Sequence, residues 1–110
     1  MANFDKEELF CEEEIRDTSE HESAHSYVGE FTAETIVWHN TLNEDVTLQY
    51  QGTVDDIVWI DIGPPIVAAA GTNDYETVTD FFPEYRVTAT CSTAPTSGNL
   101  CVFLLKAGGR

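Results

Sequence analysis

The stretch Val46-Thr47-Leu48-Gln49-Tyr50-Gln51 decides the fold class of this 110-residue chain. Apolar and polar side chains alternate along it with period 2, which is typical of a strand with one face in a core and the other toward water. Runs rich in Thr, Val, Ile and aromatic residues surround it on both sides. Candidate strands cover residues 31–38, 45–51, 57–62, 66–70, 75–82, 85–91 and 100–105.

Turn residues separate these runs, for example Gly63-Pro64-Pro65 and the segment from Ala94 to Asn99. About seven short strands in a chain of this length predict one all-β domain, an antiparallel β-sandwich that is jelly-roll-like. We assign residues 29–110 to this domain and residues 1–28 to an acidic N-terminal arm.

The last two strands read as a hairpin around the loop from Thr93 to Gly98. Folding about the middle of this loop would set Cys91 opposite Cys101, Ala89 opposite Phe103 and Val87 opposite Leu105, all six facing the core. The other face, which carries Val102 and Leu104, would then be covered by the arm or by another subunit.

Three cysteines cannot all pair within one chain. Cys91 and Cys101 read better as two buried thiols than as a bridge, since directly opposed strand positions strain a disulfide. Cys11 lies among acidic residues, which raise the pKa of a thiol, and this makes it a poor nucleophile.

The arm holds nine acidic residues between Asp5 and Glu22. Its segment from Asp5 to Arg16 suits a short helix with a thin apolar stripe, and an extended arm docked on a neighbour is the alternative. Either form would use a small apolar set to contact a partner. That set comprises Phe4, Leu9, Phe10 and Ile15 from the arm, with Val102 and Leu104 from the sheet face.

The chain carries 20 acidic and 5 basic residues, a formal net charge of -15. Such a surface repels nucleic acid and anionic membranes, so we expect neither as a direct partner, whereas a basic protein surface would be attracted. The same composition suits a protein of a salt-loving host, because concentrated salt screens self-repulsion. We find no stretch of about 20 apolar residues for a membrane span, and Met1 to Phe10 is too polar for a signal peptide.

His21-Glu22-Ser23-Ala24-His25 matches the H-E-x-x-H pattern of zinc hydrolases, which places two imidazoles on one side of a helix. A third ligand at the expected spacing is lacking, and Val28 lies where a Gly is expected. We therefore predict no catalytic residue, no metal and no cofactor, with a zinc hydrolase as the remote alternative. Asp55 and Asp56 fit a turn, and a catalytic carboxylate pair or a surface cation site formed with Asp61 is the alternative.

Trp38 and Trp59 belong more naturally to a core or an interface. A sugar-stacking platform, and with it a soluble carbohydrate-binding module, is the alternative for these two side chains.

Several blocks together resemble small β-rich virion proteins of tailed phages and tailed archaeal viruses. The blocks are Asp45-Val46-Thr47-Leu48-Gln49-Tyr50-Gln51-Gly52, Trp59-Ile60-Asp61-Ile62-Gly63, Ala70-Gly71-Thr72-Asn73-Asp74-Tyr75-Glu76-Thr77, Asp80-Phe81-Phe82-Pro83 and Ala94-Pro95-Thr96-Ser97-Gly98. The resemblance covers roughly residues 31 to 106 and leaves the arm outside.

The resemblance implies a non-enzymatic virion protein, first of all a capsid decoration or cement protein. Its partners would be the major capsid protein or other virion proteins, and it would form a trimer or ring. The arm from Met1 to about Tyr27 would be the clamp that reaches a neighbour. A position in the neck, tail or turret is the alternative within the same class.

Overall fold

The computed structural model describes residues 4–28, 33–78 and 82–108, and these ranges contain ten strands and no helix. None of the described segments could therefore cross a membrane as a helix. The strands are β1 (Phe4–Glu13), β2 (His21–Glu22), β3 (Ser26–Tyr27), β4 (Ala33–Asn40), β5 (Val46–Thr53), β6 (Ile60–Asp61), β7 (Ile66–Ala68), β8 (Thr72–Val78), β9 (Glu84–Thr90) and β10 (Leu100–Ala107).

Two antiparallel sheets pack face to face. The first sheet has the order β1-β10-β4-β8. The second has the order β2-β9-β5-β6, with β3 also paired to β9 and β7 also paired to β5. The predicted all-β sandwich is confirmed.

Each of the seven predicted strands corresponds to one of the strands β4 to β10. Two of these strands begin three residues away from the predicted position: β8 already begins at Thr72, and β6 begins only at Ile60. The first residues of the predicted strand 31–38 and residues 79–81 of the strand 75–82 lie outside the described residues.

The core lies between the two sheets and follows the alternation of the strands. In β5, Val46, Leu48 and Tyr50 are buried while Thr47 is exposed, as the sequence pattern predicts. From the first sheet, Ile36 on β4 faces these side chains. Each fully buried Val, Leu or Ile contributes about 1.5–3 kcal/mol, so this layer supplies the main stabilisation of the fold.

The helix expected between Asp5 and Arg16 is wrong. This segment forms β1 instead, which pairs along the whole of β10 from Phe4↔Ala107 to Glu13↔Leu100. Two irregularities interrupt the pairing, one between Glu8 and Phe10 and one between Phe10 and Glu13. Further along, β2 and β3 pair with β9, so residues 4–28 are built into both sheets of their own chain.

The predicted terminal hairpin is also wrong. β9 pairs with β5 in the second sheet, whereas β10 pairs with β1 and β4 in the first, so the loop between them crosses from one sheet to the other. Hydrogen bonds hold this crossover against the β4–β5 loop, including those from Thr41 N to Asn99 O and from Asn43 N to Ser97 O. Gly98 has φ +85 and passes so close to Thr41 that a Cβ would collide with the Thr41 carbonyl.

The crossover reverses the predicted faces of β10. Val102 and Leu104 point into the core and are fully buried, whereas Phe103 and Leu105 lie on the outer face of the first sheet and are partly exposed. Val87, Ala89 and Cys91 are buried as predicted, but they pack from the opposite sheet.

Candidate functional site

A row of apolar side chains crosses the outer face of the first sheet. Tyr75 on β8 is the register partner of Val37 on β4, and Val37 is the partner of Phe103 on β10. Leu105 lies two residues further along β10 on the same face. We call Val37, Tyr75, Phe103 and Leu105 the outer stripe. Tyr75 is 65% exposed and the other three are partly exposed, so the stripe forms an apolar surface with no cover within the described chain.

Two basic side chains border the outer stripe. Lys6 Nζ lies 5.2 Å from the centroid of the Phe103 ring, within reach of a cation–π contact. The ring of His39 meets Phe103 edge-on at 5.5 Å. Together with Val37 and Leu105 these side chains line a shallow depression of about 270 Å³. The depression could accept an apolar side chain of a partner protein.

A second apolar surface lies at one end of the second sheet, on the loop between β5 and β6. Val54, Ile57 and Val58 point into solvent, and Ile57 is 79% exposed. We call these three residues the apolar loop. The sequence did not indicate this surface, because residues 57 and 58 read as the beginning of a strand. The available signal was a group of large apolar residues next to Asp55-Asp56, a pair that favours a turn.

Side-chain hydrogen bonds fix the backbone of the apolar loop. The Asp55 carboxylate accepts bonds from the N–H groups of Ile57 and Val58, and these bonds lower the pKa of Asp55. The Thr53 hydroxyl accepts from the Asp56 N–H and donates to the Val58 carbonyl. The interpretation of Asp55-Asp56 as turn residues is therefore confirmed.

Five of the six residues predicted to contact a partner lie in the chain's own core: Leu9, Phe10, Ile15, Val102 and Leu104. Their side chains pack between the two sheets and offer no surface to another molecule while the chain keeps this fold. The side chain of the sixth, Phe4, lies outside the described part of the structure. Exposed apolar side chains lie instead on the outer stripe and the apolar loop.

The H-E-x-x-H motif lies on extended chain rather than on a helix, and its two histidines contact different carboxylates. His21 Nε2 lies 2.9 Å from Asp17 Oδ1, and His21 Nδ1 lies 3.9 Å from Glu13 Oε2. His25 Nδ1 lies 3.2 Å from Asp56 Oδ1 and 3.5 Å from Glu84 Oε2. The helical zinc arrangement of the motif is therefore not formed.

The two tryptophans do not form a common platform. Trp38 is buried in the core on β4. Trp59 is half-buried, with the Arg86 guanidinium 4.3 Å from its ring and the His25 ring 4.7 Å away. Because these neighbours pack on Trp59, the structure gives no support to a sugar-stacking surface.

All three cysteines are free thiols. Cys91 is buried, and burial raises its pKa. A hydrogen bond with Glu8 and the charge of that carboxylate raise the pKa of Cys11, as its acidic surroundings predict. Cys101 lies on β10 of the first sheet, whereas Cys91 follows β9 of the second, and no bridge forms between them. The prediction of two buried thiols is confirmed for Cys91 and wrong for Cys101, which is partly exposed.

No family model and no curated protein matches the sequence. Solved structures that share the fold include the following three. The PBSX exported protein XepA is 15% identical with a TM-score of 0.75, and the match covers 96% of this chain and 37% of XepA, so this chain spans little more than a third of that protein. The SPBc2 prophage-derived protein YomS is 11% identical, with a TM-score of 0.64 and coverage of 98% and 96%. PirA is 14% identical, with a TM-score of 0.52 and coverage of 97% and 93%.

Proposed function

We propose that this chain is a non-enzymatic structural protein of a tailed-virus particle, most specifically a capsid decoration protein of a salt-adapted virus. The outer stripe is the observation that carries this proposal. It is an apolar surface on a chain whose core is already filled from both sheets. Exposed apolar patches with a polar rim are characteristic of protein contact sites.

The solved structures that share the fold support the viral part of the proposal. XepA is described as a PBSX exported protein and YomS as an SPBc2 prophage-derived protein. The resemblance of residues 31 to 106 to small β-rich virion proteins points the same way. The partner in this proposal is the major capsid protein or another virion protein, and the chain binds it as a trimer or ring.

The net charge of -15 suits a protein on the outside of a particle in brine. Like-charged particles stay dispersed, and concentrated salt screens the repulsion within each subunit. Lys6 and His39 border the outer stripe and offset the exposed carboxylate of Glu8, the register partner of Phe103, so the contact surface is less acidic than the remainder of the chain. Contact at the stripe therefore brings few like charges together.

The first experiment locates the chain. Particles of the source virus are purified on a density gradient, and the chain is quantified by mass spectrometry against the major capsid protein. We expect a fixed stoichiometric ratio in the particle fraction. A chain found in the soluble part of the lysate and absent from particles would contradict the proposal.

The second experiment tests the surface on particles stripped of the chain. The double variant Val37→Thr and Tyr75→Ser removes two members of the outer stripe, and Val67→Thr makes the same valine substitution at an exposed position of the second sheet. We expect the double variant to lose co-sedimentation with the particles, while Val67→Thr rebinds like the wild type. Equal rebinding of both would remove the outer stripe from the proposal. Labelling of rebound chain in electron micrographs distinguishes the capsid from the neck, tail or turret.

A further inference from the structure

His25, Asp56 and Glu84 come from three distant parts of the sequence and meet at one end of the second sheet. Glu84 begins β9, where it is the register partner of Tyr27 on β3 and of Thr53 on β5. His25 immediately precedes β3. Asp56 follows β5 and lies between the apolar loop residues Val54 and Ile57. The strand pairing itself therefore brings the three side chains together.

The three side chains have the spacing of ligands around one metal ion. His25 Nδ1 lies 3.2 Å from Asp56 Oδ1 and 3.5 Å from Glu84 Oε2, and the three ligand atoms all lie within 4.8 Å of one another. Nitrogen and oxygen ligands bind a tetrahedral zinc ion at roughly 2.0–2.1 Å, which places neighbouring ligand atoms roughly 3.3 Å apart. Both distances to His25 are close to this value.

Both carboxylates approach the same ring nitrogen. A single proton on Nδ1 can make one good hydrogen bond and cannot serve two carboxylates equally. A cation between the three groups would contact all of them and offset the repulsion between Asp56 and Glu84. His21 provides the contrast, since Asp17 and Glu13 lie at its two different ring nitrogens and no single ion could bridge that set.

We propose that His25, Asp56 and Glu84 form a site for a divalent cation of the zinc type. One imidazole and two carboxylates suit Zn²⁺ and similar transition metals better than Mg²⁺ or Ca²⁺, which prefer sets made of oxygen alone. The two carboxylate charges balance the charge of the ion. All three side chains are partly exposed, which leaves room for water as the fourth ligand.

The neighbouring residues hold His25 in place for this role. The Trp59 ring lies 4.7 Å from the His25 ring and restricts its orientation. The Arg86 guanidinium packs on Trp59 at 4.3 Å from the ring. It forms an ion pair with Glu22 at 3.3 Å and donates a hydrogen bond to Gln51 at 2.8 Å, so it is already engaged away from His25. A bound ion would join His25 of the β2–β3 connection, Asp56 of the loop after β5 and Glu84 of β9. Metal binding would therefore stiffen the apolar loop against the second sheet.

The test is a titration of the purified chain with Zn²⁺ by calorimetry, with Mg²⁺ as the comparison ion. The variants are His25→Gln, Asp56→Asn and Glu84→Gln. Asn suits position 56 because it tolerates the positive φ of +62 found there. The matched control is His21→Gln, since His21 also has one Asp and one Glu within reach.

Each of the three ligand variants should bind Zn²⁺ about tenfold or more weakly, since even changes to residues behind the metal ligands have effects of this size. His21→Gln should bind like the wild type, and Zn²⁺ should raise the melting temperature of the wild type and of His21→Gln only. Zn²⁺ affinity that is unchanged in His25→Gln, or reduced equally in His21→Gln, would overturn the proposal.

Two further measurements use the wild-type chain, so they do not depend on whether the variants fold. Titration with Co²⁺ should give the visible bands of a nitrogen and oxygen site without a thiolate charge-transfer band. A thiolate band would assign the binding to cysteine and overturn the proposal. In imidazole NMR spectra, Zn²⁺ should shift the His25 ring signals and leave those of His21 in place, and the reverse pattern would overturn it.

Discussion

The two halves of the acidic N-terminal segment are held to the sandwich in different ways. Residues 4–15 insert Leu9, Phe10 and Ile15 into the core, and Glu7 contacts the buried ammonium group of Lys106. Residues 21–27 bury no large apolar side chain, and this half reaches the core only at its last residue, Val28. They are held by the short pairings of β2 and β3 with β9 and by hydrogen bonds of Ser23 and Ser26. A bond from Lys106 to the Tyr27 carbonyl and an ion pair between the mostly exposed Glu22 and Arg86 add to these.

The difference teaches that burial, rather than the number of charges, decides which acidic residues stabilise this chain. Lys106 has a side chain that is 4% exposed, and it contacts Glu7 Oε1 at 2.9 Å, the Tyr27 carbonyl at 3.2 Å and Asp5 at 3.7 Å. The side chain of Glu7 is 40% exposed in this contact, whereas Glu22 is 57% exposed in its pair with Arg86, whose own side chain is 13% exposed. Since exposed pairs contribute little and a buried charge is expensive to leave without its partner, removing the carboxylate beside the more deeply buried Lys106 should cost more than removing Glu22.

The largest effect should come from the apolar part of the first half. Ile15→Ala would leave a cavity at a fully buried position and should lower the free energy of unfolding by about 3 kcal/mol. Chemical denaturation followed by circular dichroism measures this. Glu14→Ala is the matched control at an exposed neighbouring position and should change the free energy by less than about 0.5 kcal/mol. Equal effects of the two would show that the segment is not part of the core.

The second effect in size should come from Glu7. Glu7→Gln keeps the shape of the side chain but removes the carboxylate closest to the buried Lys106, and it should lower the free energy of unfolding by about 2 kcal/mol. The same denaturation experiment measures it. A loss no greater than that of Glu22→Gln would contradict the contrast between the two halves.

The pH dependence of this effect has a defined sign. Burial alone would raise the pKa of Glu7, but hydrogen bonds from Lys106 and Ser26 and the charge of Lys106 together lower it. The unfolded chain therefore takes up the proton first, and the stabilisation by Glu7 is lost as the pH falls below about 4.3 and through the lower pKa of the folded state. The difference between wild type and Glu7→Gln should shrink over that range. A difference that is constant from neutral to acidic pH would contradict the assignment.

The sequence predicts the second part of the chain better than the first, and particular residues explain why. Strand β5 alternates without interruption, so Val46, Leu48 and Tyr50 mark its core face directly. In β1 the irregularity between Glu8 and Phe10 lets two successive residues, Leu9 and Phe10, both point into the core. Bulges of this kind break the period of 2 on which the recognition of a strand depends.

The candidate sites depend on contacts between distant residues. The crossover from β9 to β10 decides that Phe103 faces outward, and it rests on Thr41 and Asn43, which lie far from it in the sequence. His25 was noticed as part of a motif, but its neighbours Asp56 and Glu84 follow from the pairing of three strands. No local pattern indicates either arrangement.

A smaller effect should come from Ser23 in the second half. Its hydroxyl accepts a hydrogen bond from the Val87 N–H at 2.8 Å and donates one to the Ala24 carbonyl at 2.8 Å. Ser23→Ala would leave the N–H of Val87 without this partner and should lower the free energy of unfolding by about 1–1.5 kcal/mol. Hydrogen exchange at the amide of Val87 should accelerate as well. Unchanged exchange would show that the backbone pairing holds β2 without the hydroxyl.

The smallest effect should come from the exposed ion pair of the second half. Glu22→Gln removes the charge that faces Arg86, but Arg86 keeps its hydrogen bond to Gln51 and its contact with Trp59. Because Glu22 is mostly in solvent, the free energy of unfolding should fall by less than about 0.5 kcal/mol, and the difference should vanish in concentrated salt. Denaturation at low and at high salt measures both quantities. A loss as large as that of Glu7→Gln, persisting at high salt, would mean that the carboxylate beside the buried Lys106 matters no more than the one beside Arg86, and the contrast between the two halves would fail.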